Sequence, residues 1–103
     1  MSIEQIKSEA EISDGTVMLY FTAVWCGPCR MLGPVMVSFE EKHGEMVDVL
    51  KVDVDESPDL AEKYGVRGVP TLVLIKDGEV IHQLTGAKPL PGLEKEFGEF
   101  LQK

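Results

Sequence analysis

Cysteine is almost absent, with only Cys26 and Cys29 among 103 residues. A disulfide between them would enclose two residues and remove little entropy from the unfolded chain, so it makes a poor structural staple. Zinc is equally short of ligands, since a common pattern needs two cysteines followed by two closely spaced histidines. His43 stands at a suitable gap from Cys29, but the other histidine, His82, is far away in sequence. No apolar run is long enough to span a membrane, and Met1-Ser2-Ile3-Glu4-Gln5-Ile6-Lys7 lacks the basic-then-apolar order of a secretory signal. Basic residues are scarce too, ten against eighteen acidic ones for a net charge of -8, and they are scattered. That argues against a direct role on nucleic acid, whose phosphates call for clustered Lys and Arg, and the acidity reads as a soluble surface. Repeats, linkers and low-complexity stretches are lacking as well.

What is present is enough for one compact unit. With 44% apolar residues, 103 residues suffice to build a core without staples, so one domain over 1–103 is expected. The expected home is intracellular, in the cytoplasm, where a lone Cys-x-x-Cys pair is more often catalytic than structural.

Elements alternate along the chain. Ile3, Ile6 and Ala10 suggest a short amphipathic helix over residues 2–11, stopped by Ser13-Asp14-Gly15. Thr16 to Ala23 is apolar on both alternating faces, as in a central strand covered on two sides. Met31, Leu32, Val35, Met36 and Phe39 recur at helical spacing, which predicts a helix opened by Pro28, kinked at Pro34 and ending near His43-Gly44. Val47 to Val54 is rich in β-branched residues and reads as a strand. Ser57-Pro58-Asp59 begins a short helix that runs through Tyr64 and is ended by Gly65. Leu72 to Ile75 and Glu79 to Leu84 flank Asp77-Gly78, a strong hairpin signal. From Pro91, the residues Leu93, Phe97, Phe100 and Leu101 form the stripe of a last helix. Two strands joined through a helix and followed by a hairpin give a mixed four-stranded sheet, with helices on both faces.

The chemistry concentrates at Trp25-Cys26-Gly27-Pro28-Cys29. The pair lies at a strand-to-helix turn. Pro28 suits the first helical turn because it has no N–H to leave unpaired and its φ is already helical. Cys26 then sits where the helix's free amides and dipole favour negative charge, which raises the thiolate fraction and makes the sulfur a nucleophile.

These residues, with Pro34, Lys51, Tyr64-Gly65-Val66-Arg67-Gly68-Val69-Pro70-Thr71, Gly78 and Gly86, closely resemble the thioredoxin family over nearly the whole chain. The resemblance implies an α/β thioredoxin fold and a protein-disulfide reductase that needs no bound cofactor, because the dithiol itself carries the electrons. It implies that Cys26 attacks a disulfide in a partner protein and that Cys29 resolves the mixed disulfide. Pro70 matches the family's cis-proline, which holds the Val69 backbone beside the dithiol. Trp25, Gly27, Pro28, Val69, Pro70 and Gly86 would then form the substrate-binding rim. The implied partners are disulfide-containing proteins and an electron donor of the thioredoxin-reductase type; from the charge and the lack of a long apolar run, no direct nucleic-acid partner, no membrane and a monomer are expected. Gly27-Pro28 carries no charge or proton to stabilise the thiolate, so a reducing poise is expected.

Two positions depart from the family pattern. Tyr20 stands where a buried aspartate is usual, and tyrosine is a poor base at neutral pH. Lys51 would therefore lose its carboxylate partner and turn to water or the Tyr20 hydroxyl. Slower deprotonation of Cys29, by water or by Cys26, would follow, and simple packing of Tyr20 in the core is the competing expectation. The amino end also starts about one short strand later than typical members, leaving the first family strand missing or vestigial and the edge beside residues 47–54 open to weak self-association. His43 and His82 read as solvated or structural, Asp53 and Asp55 as a polar strand end, and Met31 and Met36 as core filler. A different functional class stays open: a binding module whose apolar rim clamps a partner while the thiols are incidental.

Overall fold

A computed structural model describes residues 3–101. The chain forms a five-stranded mixed sheet in the order β1-β3-β2-β4-β5. Its strands are β1 (Glu4–Gln5), β2 (Thr16–Thr22), β3 (Asp48–Asp53), β4 (Thr71–Lys76) and β5 (Glu79–Thr85). The helices are α1 (Gly27–His43), α2 (Pro58–Lys63) and α3 (Leu90–Phe97), with 3-10 turns at Glu9–Glu11 and Gly98–Phe100. β2 runs parallel to β3 and antiparallel to β4, with Tyr20 opposite Lys51 on one side and Leu72 on the other.

Alternation along β2 supplies two cores at once. Met18 and Tyr20 point to the layer of α1 and α3, where Leu32, Met36, Phe39, Leu93 and Phe97 are buried. Val17, Leu19 and Phe21 point the other way, toward Ile6, Val52 and Leu60 of the α2 layer. A strand buried on both faces must be apolar throughout, which is why residues 17–21 show no polar alternation. Phe21, Phe39 and Phe97 are fully buried, each contributing about 1.5–3 kcal/mol by removal from water. The hairpin turns through Asp77 (φ 50°) and Gly78 (φ 87°). Two positive φ values match the twist of the flanking strands.

The amino-terminal segment differs from its sequence reading. Residues 3–11 form a short strand and a 3-10 turn rather than one amphipathic helix, and Ser2 lies outside the described residues. A three-residue spacing on extended chain sends Ile3 and Ile6 to opposite faces, so Ile3 joins the α1 layer while Ile6 enters the α2 layer. Burial in two cores outweighs a helix too short to stand alone. Ser8 and Lys7 donate their N–H groups to the Glu11 carboxylate at 2.9 and 2.8 Å, which shapes the turn.

This strand also makes the sheet five-stranded rather than four-stranded, and it covers part of the edge expected to be open. Glu4 and Gln5 pair with Leu50 and Lys51, and the Ile6 N–H donates to the Lys51 carbonyl at 2.9 Å. Lower on β3, Ser13 Oγ donates to the Asp48 carboxylate at 2.8 Å. Met36 is buried as expected, whereas Met31 is 75% exposed and is not core filler: it lies on the solvent side of the first turns of α1. The histidines tie α3 down. His43 Nε2 lies 2.8 Å from the Glu94 carboxylate, and His82 pairs with Glu96 while packing its ring on Phe97 and Phe100.

Candidate active site

The loop from β2 into α1 places both sulfurs. β2 ends at Thr22, and Cys26 is the N-cap of α1 with extended backbone (φ -93°, ψ 114°). Its sulfur accepts the Cys29 N–H at 3.3 Å, so one of the helix's unpaired donors is aimed at it. Pro28 occupies the first turn, where a missing N–H costs nothing. Cys26 and Cys29 are joined as a disulfide, with their Cα atoms 5.3 Å apart. Both are nearly closed to solvent, at 5% and 2% exposure.

Three segments distant in sequence meet around this pair. The Val69–Pro70 peptide is cis, and the Val69 carbonyl oxygen lies 3.6 Å from Cys26 Sγ. Gly86 donates its N–H to the Pro70 carbonyl at 2.8 Å and takes φ 106°, a conformation that suits glycine. Trp25 is 65% exposed beside Gly27 and Pro28, so it belongs to the surface and not to the core. Val24 at 74% and Met31 at 75% exposure are further exposed apolar side chains, on the β2–α1 loop and in the first turns of α1. Of the rim positions named from sequence, Trp25, Gly27, Pro28, Val69, Pro70 and Gly86 lie on these three converging segments.

Two contacts had no local sequence signal. Trp25 Nε1 donates to Asp55 Oδ2 at 2.7 Å, which joins the β2–α1 loop to the turn after β3 across thirty positions. Arg30 closes the same loop by donating to the Val24 carbonyl at 3.1 Å. Neither pairing has a periodicity or spacing that could betray it.

Tyr20 is buried, and its hydroxyl donates to the Cys29 carbonyl oxygen at 2.9 Å. Tyr20 thus packs in the core with its hydroxyl satisfied by the helix that carries the second cysteine. Lys51 stands opposite Tyr20 on β3 and forms no ion pair among the described residues. Both residues line an open cavity of about 620 Å3, together with Cys29, Arg30, Asp53 and Glu56. No group of three or more metal-ligating side chains is found among the described residues.

Comparison with known proteins agrees with this geometry. The thioredoxin family model matches residues 2–99. Thioredoxin from Bacillus subtilis is 44% identical over 92 residues, covering 89% of this chain and 88% of the relative. Thioredoxin from Listeria monocytogenes is 41% identical over 93 residues, covering 90% of each chain. Among solved structures, a mutant thioredoxin from Halobacterium salinarum superposes with a TM-score of 0.89 at 36% identity, covering 99% of this chain and 93% of its own. With a Cys-x-x-Cys disulfide at the N-terminus of α1 and these relatives over nearly its full length, the chain belongs to the thioredoxin family of dithiol-disulfide oxidoreductases.

Proposed function

We propose that the protein works in the reducing direction, with Cys26 as nucleophile and Cys29 as resolving thiol. The observation that carries the roles of the two thiols is the N-cap position of Cys26, whose sulfur receives the Cys29 N–H at 3.3 Å, while the reducing direction rests on the family membership and on the uncharged Gly27-Pro28 pair. A thiolate there is stabilised by the amides and dipole of α1, while Cys29 lies one turn inside the helix without that help.

In the dithiol form, the Cys26 thiolate attacks one sulfur of a substrate disulfide and expels the other as a thiolate, which takes a proton from water. The Cys29 sulfur, once deprotonated, then attacks Cys26. The intramolecular disulfide forms, the mixed disulfide breaks and the second substrate thiolate leaves. Two electrons pass to the substrate and the protein ends oxidised. A second dithiol protein of the thioredoxin-reductase kind returns them. Around the dithiol, Trp25, Gly27, Pro28, Val69, Pro70 and Gly86 form the docking rim, and the Val69 backbone offers hydrogen-bonding groups to an extended substrate segment. Tyr20 and Lys51 line the cavity that Cys29 also lines, Tyr20 as part of its wall. A reducing compartment such as the cytoplasm suits a chain whose only two cysteines are this pair.

The assay is reduction of insulin disulfides by dithiothreitol. The protein should accelerate it strongly, Cys26→Ser should abolish the acceleration, and Cys29→Ser should accumulate a mixed disulfide visible by mass. A folded protein that gives no acceleration would overturn the reductase reading. Persistence of a partner complex in the double serine variant would instead favour the binding-module reading, for which the exposed Val24, Trp25 and Met31 supply a surface.

A further inference from the structure

Cys29 must lose a proton before its sulfur can attack, and the structure restricts where that proton goes. Cys29 is 2% exposed, so its outer face is closed. It is one of the residues lining the 620 Å3 cavity, which opens to solvent. A space this large, lined by charged groups, holds water, since one molecule occupies about 30 Å3 of liquid.

The charged and titratable groups facing this space come from every element around it except the amino-terminal segment, which contributes Ile3 and Gln5. α1 gives Cys29 and Arg30, β2 gives Tyr20, β3 gives Lys51 and Asp53, and the following turn gives Glu56. Tyr20 already commits its hydroxyl proton to the Cys29 carbonyl, and a phenol is a weak base near neutral pH. Arg30 and Lys51 are cationic side chains and do not take up a proton from a thiol. Glu56 is half exposed at the rim and paired with Lys7 at 3.4 Å. Asp53 is different, because its side chain is 7% exposed and is held in place by two backbone donors. The N–H groups of Asp55 and Glu56 bind its Oδ1 at 2.8 and 3.2 Å, which occupies one carboxylate oxygen. Oδ2 has no hydrogen-bond partner among the described residues.

The geometry points to Asp53 as the group that receives the Cys29 proton, through water in the cavity, during resolution of the mixed disulfide. This assignment rests on the reductase reading above. In the step itself, the Cys29 S–H bond breaks first, the resulting thiolate bonds to Cys26 Sγ, and the Cys26–substrate S–S bond breaks with the electron pair leaving on the substrate sulfur. The proton passes by way of water to Asp53 and from there to solvent at the mouth of the cavity, where the substrate thiolate can recover one. Asp53 positions and accepts through water and does not touch the sulfur, so its role is read best from pH dependence.

Single-turnover decay of the mixed disulfide, followed from about pH 6 to about pH 9, tests this. In the parent protein the rate should change less than about threefold across that range, because an internal base replaces hydroxide. A rise of about tenfold per pH unit up to the thiol's own ionisation would overturn the proposal. Asp53→Asn keeps an oxygen for the two N–H groups and removes the base. It should slow resolution by about 100-fold near neutral pH and regain the parent rate near pH 9, while mixed-disulfide formation by Cys26 is unchanged. Equal slowing at every pH would mark a structural role, and an unchanged profile would mean direct transfer to water or to Cys26. Either result would sink the assignment. Glu56→Gln is the control and should leave the profile intact. If the parent protein forms no mixed disulfide at all, it is the reductase reading that fails.

Discussion

Removing a single oxygen at Tyr20 separates its role as wall from any role as base. The Tyr20 hydroxyl donates to the Cys29 carbonyl at 2.9 Å in a buried setting. Cys29 lies inside α1, so its carbonyl keeps the ordinary helical partner four residues on when the hydroxyl is lost. Tyr20→Phe therefore leaves no orphaned buried acceptor, and the cost should lie within the ordinary net value of one hydrogen bond, about 0.5–1.5 kcal/mol. For a chain of this size that lowers Tm by about 4–8 °C per kcal/mol. Tyr20→Ala removes the ring as well and opens a void between β2 and α1, so it should cost about 3–5 kcal/mol. Urea titration of the oxidised protein reads both differences. Insulin reduction by Tyr20→Phe should stay within about twofold of the parent at neutral pH, because the phenol is not asked to accept a proton. A Phe variant that loses most activity while keeping its stability would refute this account and make the hydroxyl part of the chemistry. A loss above about 3 kcal/mol would refute the claim that the carbonyl keeps a second donor.

Acid should loosen the packing of α3. The Glu94 carboxyl is held below its ordinary value of 4.5, first by the hydrogen bond from His43 and then by Lys42, and Glu96 is held below the same value mainly by His82. A carboxylate with a lowered folded value contributes stability that is complete above 4.5 and is lost as pH falls through the folded value. Urea midpoints should therefore fall below that pH, and less so in Glu94→Gln with Glu96→Gln. Trp25→Ala should change stability by less than about 1 kcal/mol, because the ring is 65% exposed, yet raise KM for insulin several-fold through loss of the rim. Gly78→Ala places a Cβ at φ 87° in the hairpin turn and should cost about 1 kcal/mol in thermal or urea unfolding.

Much of the molecule was legible because its signals are local. Two-sided burial of a strand leaves an uninterrupted apolar run at residues 17–21, the Asp77-Gly78 pair marks a turn that needs two positive φ values, and Pro28 marks a first helical turn. The helix boundaries of α1 and α2 follow from the same short-range rules. The amino-terminal segment failed for a different reason. Ile3 and Ile6 satisfy a helical spacing, and only the presence of two separate cores decides that they should part to opposite faces. Met31 likewise carries a core residue's chemistry at a position that faces water.

The sequence alone determined the pair of sulfurs, their place at a strand-to-helix turn and the mixed α/β order of elements, because spacing, proline geometry and hydrophobic period act over a few residues. Tertiary structure decided which distant groups meet them. The Val69 carbonyl reaches Cys26 across 43 positions, and Asp55 holds Trp25 across 30. Tyr20 is tied to the Cys29 carbonyl rather than left free, and Lys51, Asp53 and Glu56 are gathered around the cavity that Cys29 also lines. Such contacts depend on strand register and on how α1 lies across the sheet, and side chains tens of residues apart carry no local mark of the partner they will find.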